Sequence, residues 1–67
     1  MKYREVVQQL RAHGFIFDRP TKGRHEIWYH PRTKRRTTVP HHPGEIPRGT
    51  FRAIIAQTGL SVEEFLS

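Results

Sequence analysis

Apolar residues recur along the first third of the chain at helical spacing. Tyr3, Val6, Val7 and Leu10 fall at i, i+3, i+4 and i+7 with polar residues between them, and Gly14 follows as a stop signal. The pattern predicts an amphipathic helix over Tyr3 to His13 with one buried stripe. The run F-I-F-D-R (Phe15 to Arg19) is short, aromatic and β-branched and reads as a strand, with P-T-K-G as the turn beyond it. From Arg24 to His30 the period changes to two. His25, Ile27 and Tyr29 then share one face, and Arg24, Glu26, Trp28 and His30 share the other. The Ile27 and Tyr29 face is expected to lie against the core and Trp28 to stand on the exposed one. P-R-T-K makes a hairpin turn, and R-R-T-T-V-P reads as a return strand ended by Pro40.

H-H-P-G-E-I-P-R-G is a loop by composition, with two prolines and two glycines. Phe51, Ile54 and Ile55 supply the stripe of a second helix, with Thr50 as its expected N-cap and Gly59 as its close. Ser61 and Glu64 form an S-x-x-E capping box for a last short turn that presents Phe65 and Leu66. The expected fold class is therefore α+β, with order α-β-β-β-α. Its three-stranded antiparallel sheet carries both helices on one face and a short C-terminal helical turn. The other face of the sheet stays open to solvent or a ligand.

Length and composition narrow what such a fold can do. Residues 1–67 are expected to form a single domain, which buries roughly 60% of its unfolded surface and has no room for a deep enclosed pocket. There is no cysteine, so neither a disulfide framework nor a thiolate zinc site supplements the core. No apolar run has the length of a signal-peptide core or a membrane span, so the expected location is the cytoplasm, with no membrane partner.

Charge changes the picture most. Twelve Lys and Arg against six Asp and Glu give a formal net charge of +6. Lys22, Arg24, Arg32, Lys34, Arg35 and Arg36 are clustered within residues 22 to 36, which points to a polyanion as partner. Trp28 beside this cluster is a candidate for base stacking. Five histidines raise a metal reading, but their spacing opposes it. His25 and His30 face opposite ways on one strand, His41 and His42 are adjacent, and no carboxylate stands at ligand spacing. No cofactor or metal is expected.

His25 follows Gly23 and Arg24 at the mouth of the second strand. A neutral imidazole there can take a proton from a ribose 2′-hydroxyl, and Lys22 and Arg24 can face the charge on the phosphoryl oxygens. Spacing alone favours the plainer reading of His25 as a polar residue, because a histidine beside two basic residues is common on any basic surface.

Four stretches carry a resemblance over nearly the whole chain. They are L-R-A-H-G-F (Leu10 to Phe15), K-G-R-H-E-I-W-Y-H-P (Lys22 to Pro31), T-V-P-H-H-P-G-E-I-P-R-G-T-F-R-A-I-I (Thr38 to Ile55) and G-L-S-V-E-E-F-L (Gly59 to Leu66). In order, spacing and Pro-Gly punctuation the sequence resembles the HicA toxins of toxin–antitoxin pairs. The resemblance implies a fold like the double-stranded-RNA-binding domain (dsRBD-like). It also implies a metal-independent, ribosome-independent mRNA endoribonuclease, monomeric when free and neutralised by a HicB-type antitoxin. It gives His25 the catalytic role, Gly23 the sharp turn before the strand, and His42 the place of a histidine that recurs after the Val-Pro of the third strand. Arg24 stands where the family commonly has a small residue such as serine. The expected RNA contacts are Lys22, Arg24, Trp28, Lys34, Arg35 and Arg36. The competing reading from another class is a non-catalytic RNA-binding module on the same fold.

Overall fold

The fold is that of a computed structural model, which describes residues 1–41 and 44–67. Its elements run α1 (Tyr3–Ala12), β1 (Ile16–Thr21), β2 (His25–Tyr29), β3 (Arg36–Pro40), α2 (Arg48–Thr58) and α3 (Val62–Leu66). The strands form one antiparallel sheet in the order β1-β2-β3. This is the α+β, dsRBD-like arrangement expected from the sequence.

Local signals set most of the boundaries. In the first turn of α1 the Glu5 carboxylate accepts the backbone N–H of Lys2 at 2.8 Å, satisfying a donor that the helix leaves open. At the other end Gly14 adopts φ 91°, its N–H bonds the carbonyl of Arg11, and the N–H of Phe15 reaches back to Leu10. That pair of bonds is a Schellman motif, and it delivers Phe15 into the core as the helix stops. α3 is held by reciprocal bonds between Ser61 and Glu64, as the capping box predicts. It seats Phe65, which is fully buried, while Leu66 remains half exposed.

Two boundaries differ from expectation. β1 starts at Ile16 and runs through Pro20 to Thr21, which is possible because it is an edge strand and a missing N–H costs no ladder bond there. The register slips between Phe17 and Arg19, leaving Asp18 in a bulge. α2 begins at Arg48 after Pro47, with no side-chain cap, so Thr50 lies inside the first turn and is not the N-cap. Pro47 has the φ of −56° that its ring imposes and an extended ψ, which aims the chain into the helix without a hydroxyl.

The sidedness of β2 is the main correction. Trp28 is 1% exposed and lies in the core, whereas Ile27 and Tyr29 are only half-buried on the opposite, open face. Period-two alternation holds, but the face expected to be buried is the open one. The indole is the largest apolar surface in the strand, and its polar neighbours on the inner face have partners. Glu26 accepts from Trp28 Nε1 at 3.1 Å, and His30 Nδ1 accepts the N–H groups of Arg32 and Thr33 in the β2–β3 turn. Both helices lie against this inner face. Arg11 of α1 sits 5.1 Å from the Trp28 ring centroid, and Gln57 of α2 accepts from the Thr37 hydroxyl and the Thr38 N–H of β3. Val6, Val7, Leu10, Val39, Ile46, Ile54 and Ile55 complete the core around Trp28 and Phe65.

Candidate functional site

His25 opens β2 immediately after the turn Lys22–Arg24, paired with Thr21 on one side and Pro40 on the other. The turn needs Gly23, whose φ of 71° strains any residue with a side chain, although no protein atom crowds the position. His25 and Arg24 are exposed there, beside Lys22.

A cleft of about 1110 Å³ opens at this end of the sheet. The first turn of α1 walls it on one side, and the β1–β2 turn with His25 and Glu26 on the other. His41, Gly44 and Glu45 close the third side. Backbone contacts join the first turn of α1 to the third side: an isolated bridge between Lys2 and Glu45, and a bond from the Ile46 N–H to the Met1 carbonyl at 2.9 Å.

The acidic groups of the cleft are all engaged. Glu5 caps α1, and Glu45 is held below the usual carboxylate range by its bond to the N-terminal ammonium at 2.9 Å. Glu26, 14% exposed, uses one oxygen for the Tyr3 hydroxyl at 2.6 Å and for the Trp28 indole, and the other for His41 Nδ1 at 3.1 Å. Lys2, Arg4 and Arg24 make no ion pair among the described residues and face the same space. The cleft thus offers three uncommitted cations and an exposed histidine to an anionic ligand.

Burial first, then the bond to Glu26, pushes the Tyr3 hydroxyl up to about 12, so it stays a neutral donor throughout the ordinary pH range. The Tyr3 ring also stacks on His41, with centroids 4.2 Å apart and planes 16° from parallel.

The other expected site residues are distributed differently. Lys34, Arg35 and Arg36 lie at the opposite end of the sheet, because Arg36 pairs with Tyr29. Tyr29 lies four steps along the strand from His25, or about 13 Å at the usual strand rise. The two clusters therefore sit at different places along the sheet. Lys34 closes the hairpin at φ 66°, and the Arg35 guanidinium packs against Gly59 at the C-terminus of α2, where the helix dipole favours a cation. Arg36 lies on the open face with its guanidinium 4.5 Å from the Tyr29 ring centroid. Trp28 is withdrawn as a stacking surface by its burial, and half-buried Tyr29 with exposed Arg36 occupies the face it was expected to serve. His42 lies outside the described residues.

Of the remaining histidines, His13 Nε2 donates to the Phe65 carbonyl at 3.2 Å and His30 orders the β2–β3 turn, so both serve the fold. Among the described residues no three His, Asp or Glu side chains converge as a metal site. The Tyr3–Glu26–His41 group was not legible in the sequence because its members come from α1, β2 and the segment after β3. The only local trace was a glutamate sharing a strand face with tryptophan.

No helix among the described residues is long and apolar enough to cross a membrane. Comparison with individually curated proteins found no match. The sequence does match the family described as the HicA toxin of bacterial toxin–antitoxin systems over residues 3–60 of 67. That span runs from the first turn of α1 to just past the close of α2 and takes in the whole cleft apart from Lys2, and the chain belongs to the HicA toxin family.

Proposed function

We propose that the protein is a cytoplasmic mRNA endoribonuclease, the toxin of a toxin–antitoxin pair, with His25 as its general base. One observation carries the reading: within a chain of this family, His25 is exposed at the edge of a cleft that also presents Lys2, Arg4 and Arg24. Neutral His25 takes the proton of a ribose 2′-hydroxyl, and the oxygen attacks the adjacent phosphorus. The bond to the 5′-oxygen breaks, leaving a 2′,3′-cyclic phosphate and a 5′-hydroxyl end. The departing 5′-oxygen takes up a proton, so that the step proceeds by proton transfer. Lys22 and Arg24, in the turn that leads into His25, face the charge that develops on the phosphoryl oxygens. The strand then continues across the open sheet face, where Tyr29 offers a ring and Arg36 a phosphate contact.

A HicB-type antitoxin is the proposed partner. Its task is to cover the cleft, and its chemistry there is expected to include carboxylates, because the exposed cations of the cleft are unpaired among the described residues. The free toxin is proposed to act as a monomer.

The test compares wild type with His25→Ala on purified single-stranded RNA, with circular dichroism confirming that both are folded. The proposal expects cyclic-phosphate ends from wild type and a loss of roughly 10²- to 10⁴-fold in the variant. Equal cleavage by both removes His25 from the chemistry. RNA binding without cleavage by wild type leaves the fold as a non-catalytic RNA-binding module.

A further inference from the structure

We propose that His41 is the general acid of the reaction, protonating the 5′-oxygen as it leaves; the inference rests on the nuclease reading of His25. The sequence offers no reason to prefer His41, which stands in a loop beside a second histidine. The fold supplies one. The His41 N–H bonds the carbonyl of Arg24, so the antiparallel β2–β3 ladder continues one step past the His25 and Pro40 pair. His41 is thereby fixed one residue from the position opposite His25.

Strand alternation then places the two imidazoles on opposite sides of the sheet's end. His25 shares the open face with Ile27 and Tyr29, while His41 turns to the helix face and stacks on Tyr3. Both line the same cleft. In-line displacement at phosphorus has this requirement: the attacking and leaving oxygens lie on opposite sides of the reacting centre, so base and acid must approach from opposite directions.

The surroundings of the ring suit proton donation. Nδ1 is taken by the Glu26 carboxylate at 3.1 Å, and the ring plane is fixed by Tyr3 at 4.2 Å. Glu26 cannot swing away, because its other oxygen holds the Tyr3 hydroxyl and the Trp28 indole. Nε2 is the ring nitrogen left for the cleft, and the side chain is 57% exposed. A carboxylate that orients one ring nitrogen while the other serves the substrate is the arrangement of hydrolytic triads, here built from Glu26 and His41.

The balance is simple. His25 gains the 2′-hydroxyl proton, and the imidazolium of His41, ion-paired with Glu26, gives its Nε2 proton to the 5′-oxygen. The P–O5′ bond breaks as the P–O2′ bond forms. Solvent exchange returns both rings to their starting states.

A change of leaving group isolates the role. Wild type, His41→Ala, His41→Gln and His25→Ala are assayed on an oligoribonucleotide with the natural 5′-oxygen and on its twin with a bridging 5′-sulfur, whose thiolate departs without a proton. Both His41 variants are expected to cleave the oxygen substrate roughly 10²- to 10⁴-fold more slowly and the sulfur substrate near the wild-type rate. His25→Ala is expected to be slow on both. His41 variants that are undiminished on oxygen, or equally impaired on oxygen and sulfur, overturn the acid assignment while leaving His25 in place. A wild type that cleaves neither substrate, or no faster than His25→Ala, overturns the nuclease reading and His41 with it. Thermal melts of each variant confirm that the folded protein is being assayed.

Discussion

The Tyr3 hydroxyl donates to Glu26 Oε1 at 2.6 Å, tying the first turn of α1 to the second residue of β2. Burial of the hydroxyl, together with this bond, makes stability depend on alkaline pH. Tyr3 is raised to about 12 in the fold, against 10.0 for an ordinary tyrosine, so the unfolded chain loses this proton first. The contribution of the buried, bonded hydroxyl is complete below pH 10 and fades as pH rises toward 12. Melting temperatures measured from about pH 9 to 12 should fall more steeply for wild type than for Tyr3→Phe. Parallel curves would remove Tyr3 from the alkaline transition.

Trp28→Ala is expected to destabilise the protein by about 3–5 kcal/mol, the usual cost of emptying an aromatic core site. In so small a domain that is a large part of the total. Equilibrium denaturation with urea measures it. A variant of near wild-type stability with weakened RNA binding would restore Trp28 to the surface role expected from sequence.

The two arginines next to each other in sequence should behave differently. Arg36→Ala should weaken RNA binding and flatten its dependence on salt, by roughly 0.7 in the log-log slope for each phosphate that is no longer neutralised. Cleavage at saturating RNA should stay near wild type, because Arg36 pairs with Tyr29, at the far end of β2 from His25. Arg35→Ala should alter the slope less and the melting temperature more, since its guanidinium packs on Gly59. Binding isotherms over a series of salt concentrations separate the two.

Gly14→Ala and Gly23→Ala both place a side chain at positive φ, which costs about 1–2 kcal/mol. Only Gly14 adds a collision. A Cβ there falls 2.6 Å from His30 Nε2, and His30 orders the β2–β3 turn, whereas Gly23 faces open space. Gly14→Ala should therefore be the less stable variant in chemical denaturation. Equal losses would mean that the His30 ring moves aside freely.

What could be read before folding follows the range of the interaction responsible. The α1 stripe, the Gly14 stop and the Ser61–Glu64 box are decided within a few neighbouring residues, and all three are present as expected. The face of β2 was not legible. Alternation defines two faces, but whether Glu26 is buried depends on Tyr3 and His41, which come from other elements. The division of the basic cluster was not legible for a related reason. Its members fall within residues 22 to 36 of the chain, yet the β2–β3 hairpin leaves Lys22 and Arg24 at one end of the sheet and Arg36 at the other. His25 was visible as a candidate from its neighbours; the residue proposed to complete its chemistry became visible only once Arg24 and His41 were hydrogen-bonded across the strands.

The buried indole also decides what light can report about this protein. Trp28 is the single tryptophan, enclosed by Arg11 and by Phe17, whose ring lies 5.9 Å away edge to face. Its emission is a gauge of core integrity and shifts to the red when the domain unfolds. RNA seated in the cleft or on the open face has no direct path to quench it, so binding must be followed with a labelled strand. Unfolding, by contrast, can be followed without a label.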